Sequence, residues 1–218
     1  MFSYYGSKKR LAPLYAPPEF DTLIEPFAGA AGYSLHGDHW ERNVMLFDCN
    51  PKIVATWKYL ISASKKDILS LPDIQPKQTL TEFKSLSTEE RYLIGYHLNP
   101  ASTRPKLTAT QRVCWNQQKL WIAANLYKVR HWQVFQQSYA DIPNRKATWF
   151  VDPPYQKVGK WYNGFQHMDF RHLGGWCRER QGQAIVCENR GARWLPFRLL
   201  VTHKGMVQTN TEVVWVSR

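Results

Sequence analysis

Three short apolar runs in this 218-residue chain each end on an acid, and this arrangement constrains the fold more than any other feature. Thr22-Leu23-Ile24 runs into Glu25-Pro26, Val44-Met45-Leu46-Phe47 into Asp48, and Thr148-Trp149-Phe150-Val151 into Asp152-Pro153. Apolar runs of this length, bounded by turn residues, predict buried strands. The first leads into a glycine-bearing turn, Glu25-Pro-Phe-Ala-Gly-Ala-Ala-Gly32, with a helix expected to start near Ser34. Asn50-Pro51 predicts the start of a helix through Ile61, with Ile53, Val54, Trp57 and Ile61 at helical spacing. Ala184–Cys187 is a further strand, and Arg198–Thr202 with Glu212–Val216 predict an antiparallel hairpin. Strands alternating with helices indicate a doubly wound α/β sheet, in which ligands sit beyond the carboxyl ends of the strands. The three acids fall at those ends.

Residues 62–137 have another character. Pro72, Pro76, Pro100 and Pro105 punctuate them, and helical patterns recur at Thr88–Leu98 and Gln111–Leu126. They predict a helical insert rather than more sheet, so the chain divides into 1–61, 62–137 and 138–218. The balance of 29 Lys and Arg against 17 Asp and Glu gives a net charge of +12. Such an excess favours a polyanionic partner, because each neutralised phosphate releases counterions. Lys77, Lys84, Arg91, Arg104, Lys106, Arg112, Lys119, Lys128 and Arg130 lie in the insert with Asn99, Asn116, Gln117 and Gln118, residue types that contact phosphates and base edges. Cys49, Cys114, Cys177 and Cys187 form no CxxC pair and have no His cluster beside them, which argues against a metal or disulfide frame and for buried thiols in a reducing compartment. His167 and His172 have no third ligand nearby and read as surface histidines. With no secretory pattern and no bilayer-length apolar run, the expected setting is cytoplasmic, without a membrane partner.

The chemistry follows from the acids. A glycine turn lets a ligand approach the backbone, and an acid entering it disfavours a diphosphate and favours an ammonium-bearing ligand; a tight turn with no ligand reads equally well. Asp48 has the spacing from Glu25 of an acid that accepts both ribose hydroxyls of an adenosine group, or else it caps the helix after Pro51. Asp152-Pro153-Pro154-Tyr155 is the most specific motif. An aromatic amine is a poor nucleophile because its lone pair is delocalised; acceptors on both its hydrogens, Asp152 and the Pro153 carbonyl, would free that pair, and Tyr155 would stack on the base. The following stretch, Gln156 to Phe165, mixes glycines, lysines and aromatics and reads either as a loop closing over a base or as a solvated loop with aromatics folded onto the core.

Tyr5-Gly6-Ser7-Lys8, the Glu25–Gly32 turn and Asp152–Tyr155, in this order, resemble the Dam-type family of DNA adenine-N6 methyltransferases. Glu212–Val216 is similar to that family's last strand, and the resemblance spans nearly the whole chain, least in the insert. It implies a Rossmann-like S-adenosylmethionine-dependent methyltransferase sheet with a helical insert for target recognition, S-adenosylmethionine as cofactor, no metal, and double-stranded DNA as partner. It places Tyr5 and Lys8 against the methionine end of the cofactor, Phe27 and Gly29 around its pocket beside the turn acid Glu25, Asp48 on the ribose, and Asp152, Pro153, Pro154 and Tyr155 at the target adenine; Asp141 matches the family's acid near the cofactor adenine and reads equally well as a strand-end cap. Asp152 also borders the cofactor. A self-contained enzyme of this size suits a phage or a restriction–modification setting. Two departures stand out: Ala31 occupies the second glycine position of the family's FxGxG pattern, with Gly32 following, and the insert is short.

Other readings separate by residue type. An RNA adenine-N6 methyltransferase would use the same chemistry, but no RNA-binding module is evident. Cytosine-N4 enzymes more often carry serine before Pro-Pro-Tyr, and cytosine-C5 enzymes need a cysteine after proline, which no cysteine here satisfies. An inactive DNA-binding homologue is opposed by the intact Asp152 and Tyr155. A nicotinamide dehydrogenase would need GxGxxG.

Overall fold

The computed structural model describes residues 1–99, 102–111, 113–162, 165–204 and 209–217. The apolar runs become strands of one seven-stranded sheet. These are β1 (Thr22–Glu25), β2 (Asn43–Asp48), β3 (Gln133–Gln136), β4 (Ala147–Val151), β5 (Gly182–Asn189), β6 (Arg198–Lys204) and β7 (Thr209–Val216), in spatial order β3-β2-β1-β4-β5-β7-β6. The first five are parallel; β7 inserts antiparallel between β5 and β6. The chain is thus a Rossmann-like α/β sheet, closed at one edge by the expected hairpin. From β1 the connections run outward to β2 and β3 on one side, then return to β4 and β5 on the other. The crevice between the carboxyl ends of β1 and β4 is therefore the switch point of the sheet, where open α/β folds bind ligands.

Local sequence accounts for the helices. In α1 (Pro51–Ser62) Pro51 stands at the first turn, the Asn50 side chain accepts from Lys52 N at 3.1 Å, and Ile53, Val54, Trp57 and Leu60 form the buried stripe. Leu60 joins that stripe fully buried, and Ile61, half-buried, packs against the same core. Capping boxes start α2 (Lys65–Ser70) at Ser64/Asp67 and α3 (Thr88–Leu98) at Ser87/Glu90. The later pattern in the insert yields α4 (Trp115–Asn125), and α5 (Phe170–Arg178) begins at an Asp169 that accepts from two backbone N–H groups. Among the described residues no helix is long and apolar enough to cross a membrane.

Several expectations need correction. No helix starts near Ser34. Residues 29–38 run through successive turns, and only a 3-10 turn, His39–Glu41, precedes β2, because Gly37 sits at φ +53 and interrupts any helical ladder. The segment 62–137 is not purely helical: Gln133–Gln136 is β3, paired with β2 at the sheet edge. The helical part of that segment shares the main core: Leu93, Ile94, Tyr96, Trp115 and Ile122 are buried with Trp57 and Leu60. Cys49 and Cys114 are exposed; only Cys177 and Cys187 are buried, and all four are free thiols. Pro100, Arg112, Asn163 and Gly164 lie outside the described residues.

Candidate functional site

A cavity of about 730 Å³ opens at the switch point, a size suited to a drug-sized or nucleoside-sized ligand. Tyr5, Lys8, Glu25, Phe27, Gly29, Asp48, Asp152, Pro153, Pro154 and Tyr155 all line it. Asp141 does not. It is exposed on the 3-10 turn Tyr139–Asp141, and the residues of that segment that reach the cavity are Ser138 and Tyr139. Tyr139 packs against Phe27 with ring centroids 5.4 Å apart, and its hydroxyl lies 2.8 Å from His172 Nδ1.

The glycine turn is held from both sides. Gly29 N donates to Asp48 Oδ2 at 3.1 Å, while Gly29 O accepts from Trp57 Nε1 at 2.8 Å. Gly29 takes φ +44 and Ala31 φ +47, so the backbone at the non-glycine position keeps the left-handed geometry that glycine would favour. Gly32 has a packing reason instead. A Cβ there would come 2.7 Å from Lys9 N, because the 3-10 turn Lys8–Arg10 lies directly on it. That close approach carries Lys8 into the site.

Asp48 is not the helix cap; Asn50 is. Asp48 Oδ1 accepts from Asn50 N at 2.8 Å, so backbone donors hold both of its oxygens at the carboxyl end of β2. Burial pushes its pKa up to about 6 against the two N–H donors. Glu25 is 2% exposed, and its Oε1 accepts from Ser34 N at 2.9 Å and Ser34 Oγ at 2.5 Å. Burial drives its pKa up to about 8, which keeps the carboxyl largely neutral at pH 7.

Beyond β4 the charged groups form a compact cluster in which Lys8 and Glu212 are buried and Asp152 is half-buried. Lys8 Nζ lies 2.8 Å from Asp152 Oδ1 and 3.8 Å from Glu212 Oε1, donates to Gly6 O at 3.0 Å, and stands 4.8 Å from the Tyr155 ring centroid. Glu212 Oε1 also accepts from Tyr15 Oη at 2.7 Å and from the Tyr155 hydroxyl. Burial raises the Asp152 pKa to about 6; Lys8 works against that rise and Glu212 adds to it. For Lys8, burial favours the neutral amine, but Asp152 and Glu212 outweigh it and hold the ammonium charged.

The sequence marks Glu212 only as the start of a strand and Tyr15 not at all, and their separation of 197 hides the contact from any local reading. Alternation along β7 could have marked position 212 as facing inward, but not toward which partners. The loop after Tyr155 folds back rather than standing open. Gln156 N donates to Glu188 Oε2 at 3.1 Å, and the Tyr162 hydroxyl donates to Tyr5 O at 2.9 Å, beside the rings of Tyr4 and Tyr5. In the insert, three basic residues are committed to the fold. Arg91 donates to the carbonyls of Leu80, Phe83 and Leu86, Lys119 donates to Leu71 O and pairs with Asp73, and Arg130 donates to Ile61 O and Ala63 O. Lys77, Lys84, Arg104 and Lys106 remain exposed.

No protein-family model and no curated protein sequence matches the chain. Two solved structures are similar in outline. One is a "putative methyltransferase", yhhF, of Escherichia coli, at 10% identity and TM-score 0.38, covering 95% of this chain and 80% of its own. The other is a "putative methylase" of Haemophilus influenzae, at 10% identity and TM-score 0.39, covering 94% and 83%. At these values neither likeness bears on activity.

Proposed function

We propose that this chain is an S-adenosylmethionine-dependent methyltransferase acting on the N6 amino group of adenine in double-stranded DNA. The observation that carries the reading is the convergence, in one cavity at the switch point, of the Asp152–Tyr155 motif with the Gly29 turn and the oriented carboxylate of Asp48. The donor set fits the cofactor. Asp48 offers two oriented oxygens to a ribose, Glu25 a carboxyl to an ammonium, Phe27 and Tyr139 rings to a purine, and Gly29 no side chain to obstruct it. When bound, S-adenosylmethionine supplies a methyl group already activated by its sulfonium.

The chain's own residues do the rest. Tyr155 offers a ring face to an extruded base. Asp152 and the Pro153 carbonyl accept the two amine hydrogens, keeping the nitrogen lone pair out of the ring, and Asp152 takes the proton the amine sheds. Lys8 with Asp152 and Glu212 carries one positive and two negative charges, a net charge suited to a cationic donor and to that proton. Lys77, Lys84, Arg104 and Lys106 provide exposed positive charge for phosphates.

The test is methyl transfer from labelled S-adenosylmethionine to unmethylated duplex DNA, with structured RNA in parallel and products digested to nucleosides. N6-methyladenine from DNA is expected. Label in RNA alone would replace DNA with RNA as the substrate, and label in neither would refute the reading.

A further inference from the structure

We propose that Glu212 on β7 is a positioning residue: it holds the Tyr155 hydroxyl and serves as the second carboxylate to Lys8, so that Asp152 can turn to an acceptor amine without leaving the ammonium buried and unpaired. The proposal rests on the methyltransferase reading above. Glu212 is 5% exposed and Lys8 6% exposed. A buried ammonium needs one counter-ion. A second buried carboxylate beside the first adds desolvation and like-charge repulsion, so its presence calls for a function beyond neutralising Lys8.

The geometry supplies that function. Pairing of Glu212 with Asn189 across the β5–β7 ladder fixes the backbone at position 212, and the Tyr15 hydroxyl, at 2.7 Å, fixes the carboxylate. The same oxygen accepts from Tyr155 and lies 3.8 Å from Lys8 Nζ, while Asp152 Oδ1 is 2.8 Å from that nitrogen. Lys8 thus sits between two anions, nearer the one that must engage substrate. When Asp152 becomes neutral by accepting the amine proton, Lys8 keeps an anion in Glu212. The ionisable groups facing Glu212 come from five segments: Lys8 from the amino-terminal 3-10 turn, Tyr15 from the stretch before β1, Asp152 and Tyr155 after β4, Tyr162 from the loop that follows them, and Cys187 on β5.

The test combines a carbon-13 NMR titration of the Asp152 carboxyl in the unliganded protein with steady-state methyl transfer. Glu212→Gln should lower the Asp152 midpoint by about one pH unit, because a neighbouring negative charge is gone. It should also reduce kcat about tenfold or more, with KM for S-adenosylmethionine changed less than about threefold. Glu212→Asp keeps the charge but withdraws from Tyr155; it should leave the midpoint in place and lower kcat by a smaller factor. An unmoved midpoint in Glu212→Gln would overturn the proposal. If that variant does not fold, a wild-type kcat in Glu212→Asp would do the same. A shifted midpoint in a protein that methylates neither nucleic acid would support the hold of Glu212 on the cluster and refute the methyltransferase reading instead.

Discussion

Glu25→Gln should make the unliganded protein more stable and a worse cofactor binder. The wild-type carboxyl has its pKa raised from 4.5 to about 8 in the folded protein, with burial the largest cause. Below pH 4.5 both folded and unfolded states are protonated and the group is neutral to stability. Between 4.5 and 8 the unfolded chain has released its proton and the folded one has not, so stability falls with rising pH and levels off above 8. At pH 7 the deficit spans about 2.5 pH units, or about 3 kcal/mol at 1.36 kcal/mol per unit. Glutamine keeps an oxygen for the two Ser34 donors and cannot ionise, so most of that deficit should vanish. For a chain of this length the gain corresponds to a Tm increase of roughly 6 °C or more at pH 7, shrinking to nothing near pH 4.5. Differential scanning calorimetry across pH 4.5–8 measures it. Titration calorimetry in two buffers of different ionisation enthalpy reads the other half: a ligand ammonium that draws Glu25 into its ionised form releases close to one proton at pH 7 in wild type and none from this position in the variant. A Tm difference that is negative, or that does not grow with pH, would refute the reasoning.

Three further outcomes follow from the site. Asp152→Ala should lower methyl transfer by about 10²-fold or more while cofactor affinity stays nearly unchanged, since Glu212 still neutralises Lys8; equilibrium binding and single-turnover rates separate the two. In wild type the rate should rise with pH through about 6, as Asp152 ionises, and a flat pH–rate profile between 5 and 7 would contradict the assignment. Gly29→Ala should destabilise the fold by about 1–2 kcal/mol, because the position lies at φ +44 and the added Cβ would approach Tyr4 Cδ1 to 3.2 Å; it should also weaken cofactor binding by moving the N–H that orients Asp48, as denaturant melts and binding isotherms would show.

Much of the architecture was legible because its causes are local. Val44–Phe47 and Thr148–Val151 announced their strands by burial-ready apolar runs, Asn50-Pro51 announced α1 by its cap and first turn, and the acids ending β1, β2 and β4 fell at one end of a parallel sheet because the strands run the same way. Where the signal was thin, expectation failed. β3 is an edge strand with glutamine at both ends, so it lacks an apolar run, and Gly37, at φ +53, interrupts the helix expected near Ser34.

What tertiary structure alone decided is who meets whom. That Asp141 stays outside the cavity, that Arg91, Lys119 and Arg130 spend their charge on backbone carbonyls, and that Gly32 is needed because Lys9 packs on it all depend on how distant segments pass one another. The cluster of Lys8, Tyr15, Asp152, Tyr155 and Glu212 is the clearest case. Its members come from the two ends and the late middle of the chain: Lys8, Asp152 and Tyr155 stand in motifs, but nothing local links those motifs to one another or to Tyr15 and Glu212. Sequence determined the strand ends, the turn and the motif, which depend on neighbours along the chain. Only the folded sheet, by placing β7 antiparallel beside β5, brought a second carboxylate against the buried lysine, because side-chain contacts across strands depend on pairing and register that no local pattern contains.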